Sequence, residues 1–192
     1  MKNNLFILSG PSGSGQDSII EGLRRHFEIE RVVTTTTRAM RPGESQGKPY
    51  YFISAQDFEK KIIAGELAEY AKEYNNHFYG VTKEELERVS RSGKIGIWKV
   101  EYKGVISAKK MFPGIISILT NAPLADLEKR IRERDKGESE EYIQERMVYT
   151  KEWLNHKDIY DFEVVNEEGK LDEAIAKTAK IIEDTLDEQK SS

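Results

Sequence analysis

The chain has no cysteine in its 192 residues. That excludes a disulfide framework, a thiol nucleophile and a cysteine-ligated zinc. Histidine is scarce too. His26, His77 and His156 are scattered and lack metal-ligand spacing. Long apolar runs are missing: Leu5–Leu8 is far too short for a signal peptide or a membrane span. An excess of positive charge is also missing. The formal net charge is −4, which argues against binding nucleic acid through bulk charge and leaves only local basic sites. No repeat is evident, and no Pro/Gly/Ser-rich linker divides the chain. These absences predict a single cytoplasmic domain without nucleic-acid or membrane partners, either a monomer or a homodimer.

What is present alternates. Leu5–Leu8 reads as a buried strand, and Asp17–Phe27 as a helix with Ile19, Ile20, Leu23 and Phe27 on its apolar face. Val32–Thr37 is β-branched and strand-like. A polar loop covers Thr37–Gln46, and Tyr50–Ile53 is a short strand. Ser54 opens a helix carrying Asp57, Phe58, Ile62 and Ile63. Leu67–Lys72 and His77–Val81 read as strands around a turn at Tyr74–Asn76. Thr82 caps a helix over Lys83–Ser92. Ile95–Tyr102 and Ile115–Leu119 read as strands, Ala125–Arg134 and Glu140–His156 as helices. Phe162–Val165 is a last strand and Leu171–Leu186 a last helix, with a frayed tail from Asp187. Strands alternating with helices predict a parallel α/β sheet with helices on both faces. The hairpin-rich stretch from Thr34 to Thr82 interrupts that rhythm as an inserted lobe.

Between the first strand and helix stands Gly10-Pro11-Ser12-Gly13-Ser14-Gly15. Two glycines at this spacing, in this context, let backbone N–H groups converge on phosphate oxygens at a helix N-terminus. An ordinary turn needs no such pattern. A phosphate loop of this kind continues with Lys, then Ser or Thr, but here Gln16 and Asp17 follow. Relative to Lys-Ser, the loop loses one positive charge and gains one negative charge beside a polyanion. Asp17 as a carboxylate, or Ser18 one position late, are the candidate Mg²⁺ ligands near the loop. A cation from elsewhere would have to replace the lysine.

"LFILSGPSGSG", "TTTTRAMRPGESQGKPYYFIS" and "GELAEYAKEYNNHFYGVT", in that order, resemble guanylate kinase. The match continues through "KKMFPGIISILTNAPLADLEKRIRERD" and "VVNEEGKLDEA" and covers nearly the whole chain. The resemblance implies an α/β P-loop core with an inserted mixed α/β GMP-binding lobe and a helical lid. In this chain the core would be 1–33, 83–125 and 157–192, the lobe 34–82 and the lid 126–156. It implies phosphoryl transfer from ATP to GMP or dGMP with Mg²⁺.

Within the resemblance, Arg38 and Arg41 would grip the GMP phosphate, since guanidinium forks match phosphate oxygens. Tyr50 and Tyr79 would complete that site. Glu69 would read guanine, whose adjacent N1–H and N2–H₂ donors suit paired carboxylate oxygens, with Thr34 near O6. Arg130, Arg134 and Arg146 would be the lid arginines that close on the transferring group. Asn166 would lie on the adenine side.

Two departures stand out. The hydroxyl residue that the family carries after "YG" is Val81 here, with Thr82 next. The family's paired acids on a strand become Lys99 and Glu101 in "IWKVEYKG". Alternate strand residues share a face. Lys99 would then carry the loop's missing cation on the neighbouring strand, and Glu101 would order Mg²⁺. A catalytically inactive guanylate-kinase-like binding module and a kinase for another phosphorylated acceptor remain as alternatives.

Overall fold

Leu5–Ser9 forms β1 and is buried along its whole length, as an unbroken apolar run in a parallel sheet requires. In the computed structural model, which describes residues 4–72 and 76–191, β1 is the central strand of five. Its neighbours are β7 (Ile95–Lys99) and β8 (Ile116–Asn121). β2 (Ile29–Arg31) flanks β7 and β9 (Phe162–Val165) flanks β8, giving the order β2-β7-β1-β8-β9. Every pairing is parallel.

Alternate side chains of β1 serve two layers. Phe6 and Leu8 face α1 (Gln16–Leu23) and α7 (Leu171–Ser191), where Ile19, Ile20 and Leu23 meet Ala174, Ile175 and Ile182. Leu5 and Ile7 join the opposite layer, built on α3 (Lys83–Arg91) and α4 (Tyr102–Met111) through Leu86, Val89, Val105 and Ala108. Each fully buried aliphatic side chain contributes about 1.5–3 kcal/mol of transfer free energy. The two layers therefore fix the strand ends that carry the glycine loop and Lys99.

Between β2 and α3 the chain builds a second sheet. Its strands are β3 (Thr34–Thr36), β4 (Tyr50–Phe52), β5 (Leu67–Lys72) and β6 (Phe78–Thr82), in the order β4-β3-β6-β5. β3 and β4 run parallel, while β6 is antiparallel to both β3 and β5. α2 (Ala55–Ile63) starts where Ser54 Oγ accepts a hydrogen bond from the Asp57 N–H at 3.0 Å. It buries Phe58 against the rings of Phe78 and Tyr70. The turn expected at Tyr74–Asn76 falls mostly outside the described residues. α5 (Leu124–Arg134) and α6 (Glu140–Leu154) form a hairpin joined by Ile131, Ile143 and Met147. Among the described residues, no helix is long and apolar enough to cross a membrane.

Three sequence expectations are corrected. The Val32–Thr37 run is not one strand. The Val32 N–H still donates to the Ile97 carbonyl of the first sheet, the Val33 N–H turns to Glu85 Oε1, and Thr34 enters the second sheet. The strand expected over Ile95–Tyr102 stops at Lys99. Trp98, Val100 and Tyr102 extend the alternation, but Tyr102, Val105 and Ala108 are buried at three-residue spacing on α4. The tail from Asp187 is not frayed: α7 runs to Ser191, with charge pairs Lys180–Asp184 and Lys190–Asp187.

Candidate functional site

The glycine loop joins the C-terminal end of β1 to α1. Gly15 takes φ +87° at the helix N-cap, where a side chain would be strained and would press on the Asn166 amide 2.3 Å away. At Gly10 a Cβ would fall 2.1 Å from the Thr120 carbonyl oxygen. The loop is held from outside. Asn166 Nδ2 donates to the Ser14 carbonyl at 2.9 Å, and Arg130 donates to the carbonyls of Gly13 and Asn166 at 3.2 and 3.0 Å. Among the described residues, Ser14 Oγ is buried without a hydrogen-bond partner. Gly15, Ser18, Arg130, Asn166 and Glu167 line a cavity of about 220 Å³. Ser18 and Asn166 thus share one side of the loop.

Two arginines of the α5–α6 hairpin meet at Ser12. Arg134 Nη2 and Arg146 Nη1 donate to its Oγ at 3.2 and 3.0 Å. Asp135 pairs with Arg134 at 2.7 Å and lies 3.6 Å from Arg146. Hydrogen bonding from Arg134 holds the Asp135 carboxyl below the usual carboxylate range, against the opposing effect of burial. The Arg146 guanidinium also stacks over the Tyr142 ring at 5.0 Å. Three arginines expected along 126–156 therefore converge on the phosphate loop.

Asp17, in the first turn of α1, is flanked by two cations. Lys99 Nζ lies 2.7 Å from Oδ2, and Arg31 Nη2 lies 2.9 Å from Oδ1. Partial burial alone would raise this carboxyl, but Lys99 and Arg31 outweigh it and hold it below its ordinary value. Lys99 ends β7, opposite Leu8 of β1. Its ammonium is thus beside the residue that follows Gln16. Glu101 occupies the N-cap position of α4 without a side-chain cap bond, and its Oε2 accepts a hydrogen bond from the Tyr149 hydroxyl at 2.5 Å.

The second sheet carries the other group. Arg38 is buried at 9% exposure. Its Nη2 pairs with Glu44 Oε1 at 2.8 Å, and Nη1 donates to the Ala39 carbonyl at 2.7 Å. The guanidinium lies over the rings of Tyr50 and Phe52 at 5.5 and 5.4 Å. Glu44 also accepts the Arg41 N–H at 2.7 Å, so one carboxylate shapes the loop that bears both arginines. Tyr79 meets Tyr50 edge-on at 5.8 Å. Burial raises the Tyr50 phenol, with Tyr79 and the Asp17 carboxylate adding and Arg38 opposing. Tyr50 therefore feels the charge at the loop end of the cleft. Thr34 pairs with Tyr50 across β3 and β4. Glu69 pairs with Val81 across β5 and β6, and its Oε2 lies 3.5 Å from the Cβ position of Gly104 on α4. The side chain of Val81 is fully buried in the core, while Thr82 Oγ accepts the Glu85 N–H at 3.1 Å as the α3 cap.

Arg31, Glu44, Phe52, Asp135 and Tyr149 also take part in these contacts, though none was a sequence candidate. Glu44 and Phe52 stand inside a motif already quoted, so position alone pointed to them. Arg31 ends a short polar strand and carried no signal.

Among the described residues, no group of three or more His, Asp and Glu could by itself hold a metal ion. A Mg²⁺ delivered with nucleotide phosphates needs only one or two protein oxygens. Glu101 and Ser18 fit that demand, whereas both oxygens of Asp17 face cations.

A family model described as guanylate kinase matches residues 2–185. A guanylate kinase of Buchnera aphidicola is 38% identical over 168 residues, covering 85% of this chain and 80% of that protein. One of Bdellovibrio bacteriovorus is 34% identical over 188 residues, covering 97% of this chain and 100% of its own length. The crystal structure of guanylate kinase from Anaplasma phagocytophilum superposes with a TM-score of 0.66 at 25% identity, covering 96% of this chain and 85% of that one.

Proposed function

This chain belongs to the guanylate kinase family, and from that premise we propose that it transfers the terminal phosphoryl group of ATP to GMP or dGMP, with Lys99 in place of the loop lysine. The bond from the terminal phosphorus to its bridging oxygen breaks, leaving ADP. A bond to a phosphate oxygen of the acceptor forms, giving GDP. Such transfer depends on positioning and charge neutralisation more than on a general base.

The chain's own groups divide that task. Gly10–Gly15 offer backbone donors to the ATP phosphates. Asn166 serves the adenosine side. Arg38, Arg41, Tyr50 and Tyr79 hold the acceptor phosphate, and Glu44 keeps the two arginines in register. Glu69 and Thr34 recognise guanine. Arg130, Arg134 and Arg146 close over the transferring group and exclude water. Mg²⁺ bound with ATP would neutralise charge on the phosphates, with Glu101 and Ser18 as the chain's ligands.

The observation that carries this reading is the 2.7 Å contact between Lys99 and Asp17. It supports a cation at the loop that lacks one. A retained acceptor site alone would equally suit an inactive binding module.

A coupled assay with ATP, Mg²⁺ and GMP, dGMP, AMP, CMP or UMP tests the function. GDP formation from GMP is the expected result. GMP binding without turnover, or turnover with another acceptor only, overturns it.

A further inference from the structure

Asp17 is held from both sides, and only one of its partners has been given a task. Lys99 takes Oδ2 and Arg31 takes Oδ1. The three side chains come from three elements. Asp17 sits in the first turn of α1, Lys99 is the last residue of β7, and Arg31 is the last residue of β2. β2 and β7 are parallel neighbours, with Arg31 opposite Ile97. Both cations therefore leave the sheet at the carboxyl ends of adjacent strands, the edge where parallel sheets bind ligands. Arg31 lies outside every motif of the resemblance.

Each pair is partly exposed, with side-chain exposures of 40% for Arg31, 37% for Lys99 and 63% for Asp17. Pairs this exposed add little to folding, so stability is a weak reason for the arrangement. Geometry is a better one. A lysine ammonium on a four-carbon stem is hard to aim, whereas a guanidinium is planar and presents its donors in a fixed fork. Arg31 fixes one oxygen of Asp17, and the other oxygen is then set for Lys99.

We propose that Arg31 is a positioning residue for the ATP phosphates: it orients the Asp17 carboxylate, which in turn holds the Lys99 ammonium at the edge of the glycine loop. This rests on the reading that Lys99 serves the donor phosphates.

The test compares wild type with Arg31→Ala, Arg31→Lys, Lys99→Ala and the double variant Arg31→Ala/Lys99→Ala. Calorimetric titration gives affinities for ATP and GMP, steady-state kinetics gives kcat and KM, and thermal melting checks folding. Arg31→Ala is expected to weaken ATP binding about fivefold, the scale of one partly exposed charge pair. GMP affinity should stay within about twofold, since the Arg31 side chain pairs with Asp17 and with none of the groups assigned to the acceptor. Arg31→Lys should recover most of the ATP affinity. Arg31→Ala should add nothing once Lys99 is gone.

Unchanged or tighter ATP binding by Arg31→Ala overturns the proposal, the latter because Asp17 would then be sequestering Lys99. An equal loss in the Lys99→Ala background also overturns it, because Arg31 would be acting alone. The two readings fail separately. Wild type that forms GDP, with Lys99→Ala impaired and Arg31→Ala intact, removes the role of Arg31 only. Wild type that binds ATP but makes no GDP, with affinity still lost in Arg31→Ala, removes the kinase reading only.

Discussion

Lys99 Nζ and Asp17 Oδ2 stand 2.7 Å apart across 82 positions of sequence. The resemblance leads one to expect a cation on the glycine loop and an acid on this strand. Here the strand carries the cation and the first turn of α1 carries the acid. The net charge over positions 16, 17 and 99 is the same in both arrangements. An exchange of charge between β7 and α1 thus keeps the net charge over these positions, while moving the cation from the start of α1 to the end of β7.

Removal of Lys99 should therefore resemble removal of a phosphate-loop lysine. Lys99→Ala is expected to lower kcat by about 10²–10³, the cost of one preorganised group at developing charge. Placing Gln16→Lys in the same variant should restore part of the rate. Coupled ADP release measures both. A Lys99→Ala enzyme with wild-type kcat would end the exchange argument.

Val81 offers a separate check on the acceptor site. Its side chain is fully buried among Leu86, Val89 and Trp98. Val81→Thr would restore the hydroxyl that the resemblance leads one to expect, but in an apolar setting. The expected outcome is a loss of about 1–3 kcal/mol of stability from an unpaired buried hydroxyl, with GMP KM unchanged. Thermal melting and steady-state kinetics test it. A tighter GMP KM without loss of stability would show that the hydroxyl reaches the base.

Much of this was legible in the chain because the relevant signals are local. Leu5–Leu8 and the start of α1 after the glycine loop read correctly from short windows, as did the Ser54 and Thr82 caps, while α1 ends at Leu23, four residues short of the expected Phe27. The α4 helix was not legible, because Trp98, Val100 and Tyr102 continue the strand's alternation across the boundary. Arg31 was not legible for a different reason. Its importance comes from the pairing of β2 with β7, and a three-residue strand with one buried residue gives no period to read. Tyr149 likewise acquires meaning only when α6 folds back on the β7–α4 junction.

The hairpin of α5 and α6 has a pH signature. Arg132 bonds Glu128 one turn back on α5 and Glu140 across the turn on α6. Hydrogen bonds from Arg132 and Gln144 lower the Glu140 carboxyl from its ordinary 4.5 to about 2. A lowered value means the contact stabilises the hairpin above the ordinary carboxylate range and is lost as pH falls toward 2. Carboxyl NMR titration should find Glu140 titrating well below the other exposed glutamates. Arg132→Ala should return it toward 4.5. An ordinary value in the wild type would mean the pair is not held in solution.

Glu101, at the start of α4, is joined to α6. Its Oε2 accepts the Tyr149 hydroxyl of α6. The Tyr149 ring also packs against Tyr102 and Trp153 at 6.2 and 5.9 Å. Tyr149→Phe keeps those ring contacts and deletes the hydroxyl, so it probes the hydrogen bond that ties α6 to Glu101. A bond to a charged acceptor is worth about 1.5–3 kcal/mol when it is well sheltered, and partial exposure puts this one at the low end. If Glu101 must be oriented by the lid during transfer, Tyr149→Phe should lower kcat about tenfold. The melting temperature should fall by only a few degrees, the scale of that one bond in a domain of this size, and the KM for GMP should change little. A fall in melting temperature with kcat preserved would instead assign the bond to folding. Equal wild-type values of both would leave Glu101 positioned by β7 and α4 alone.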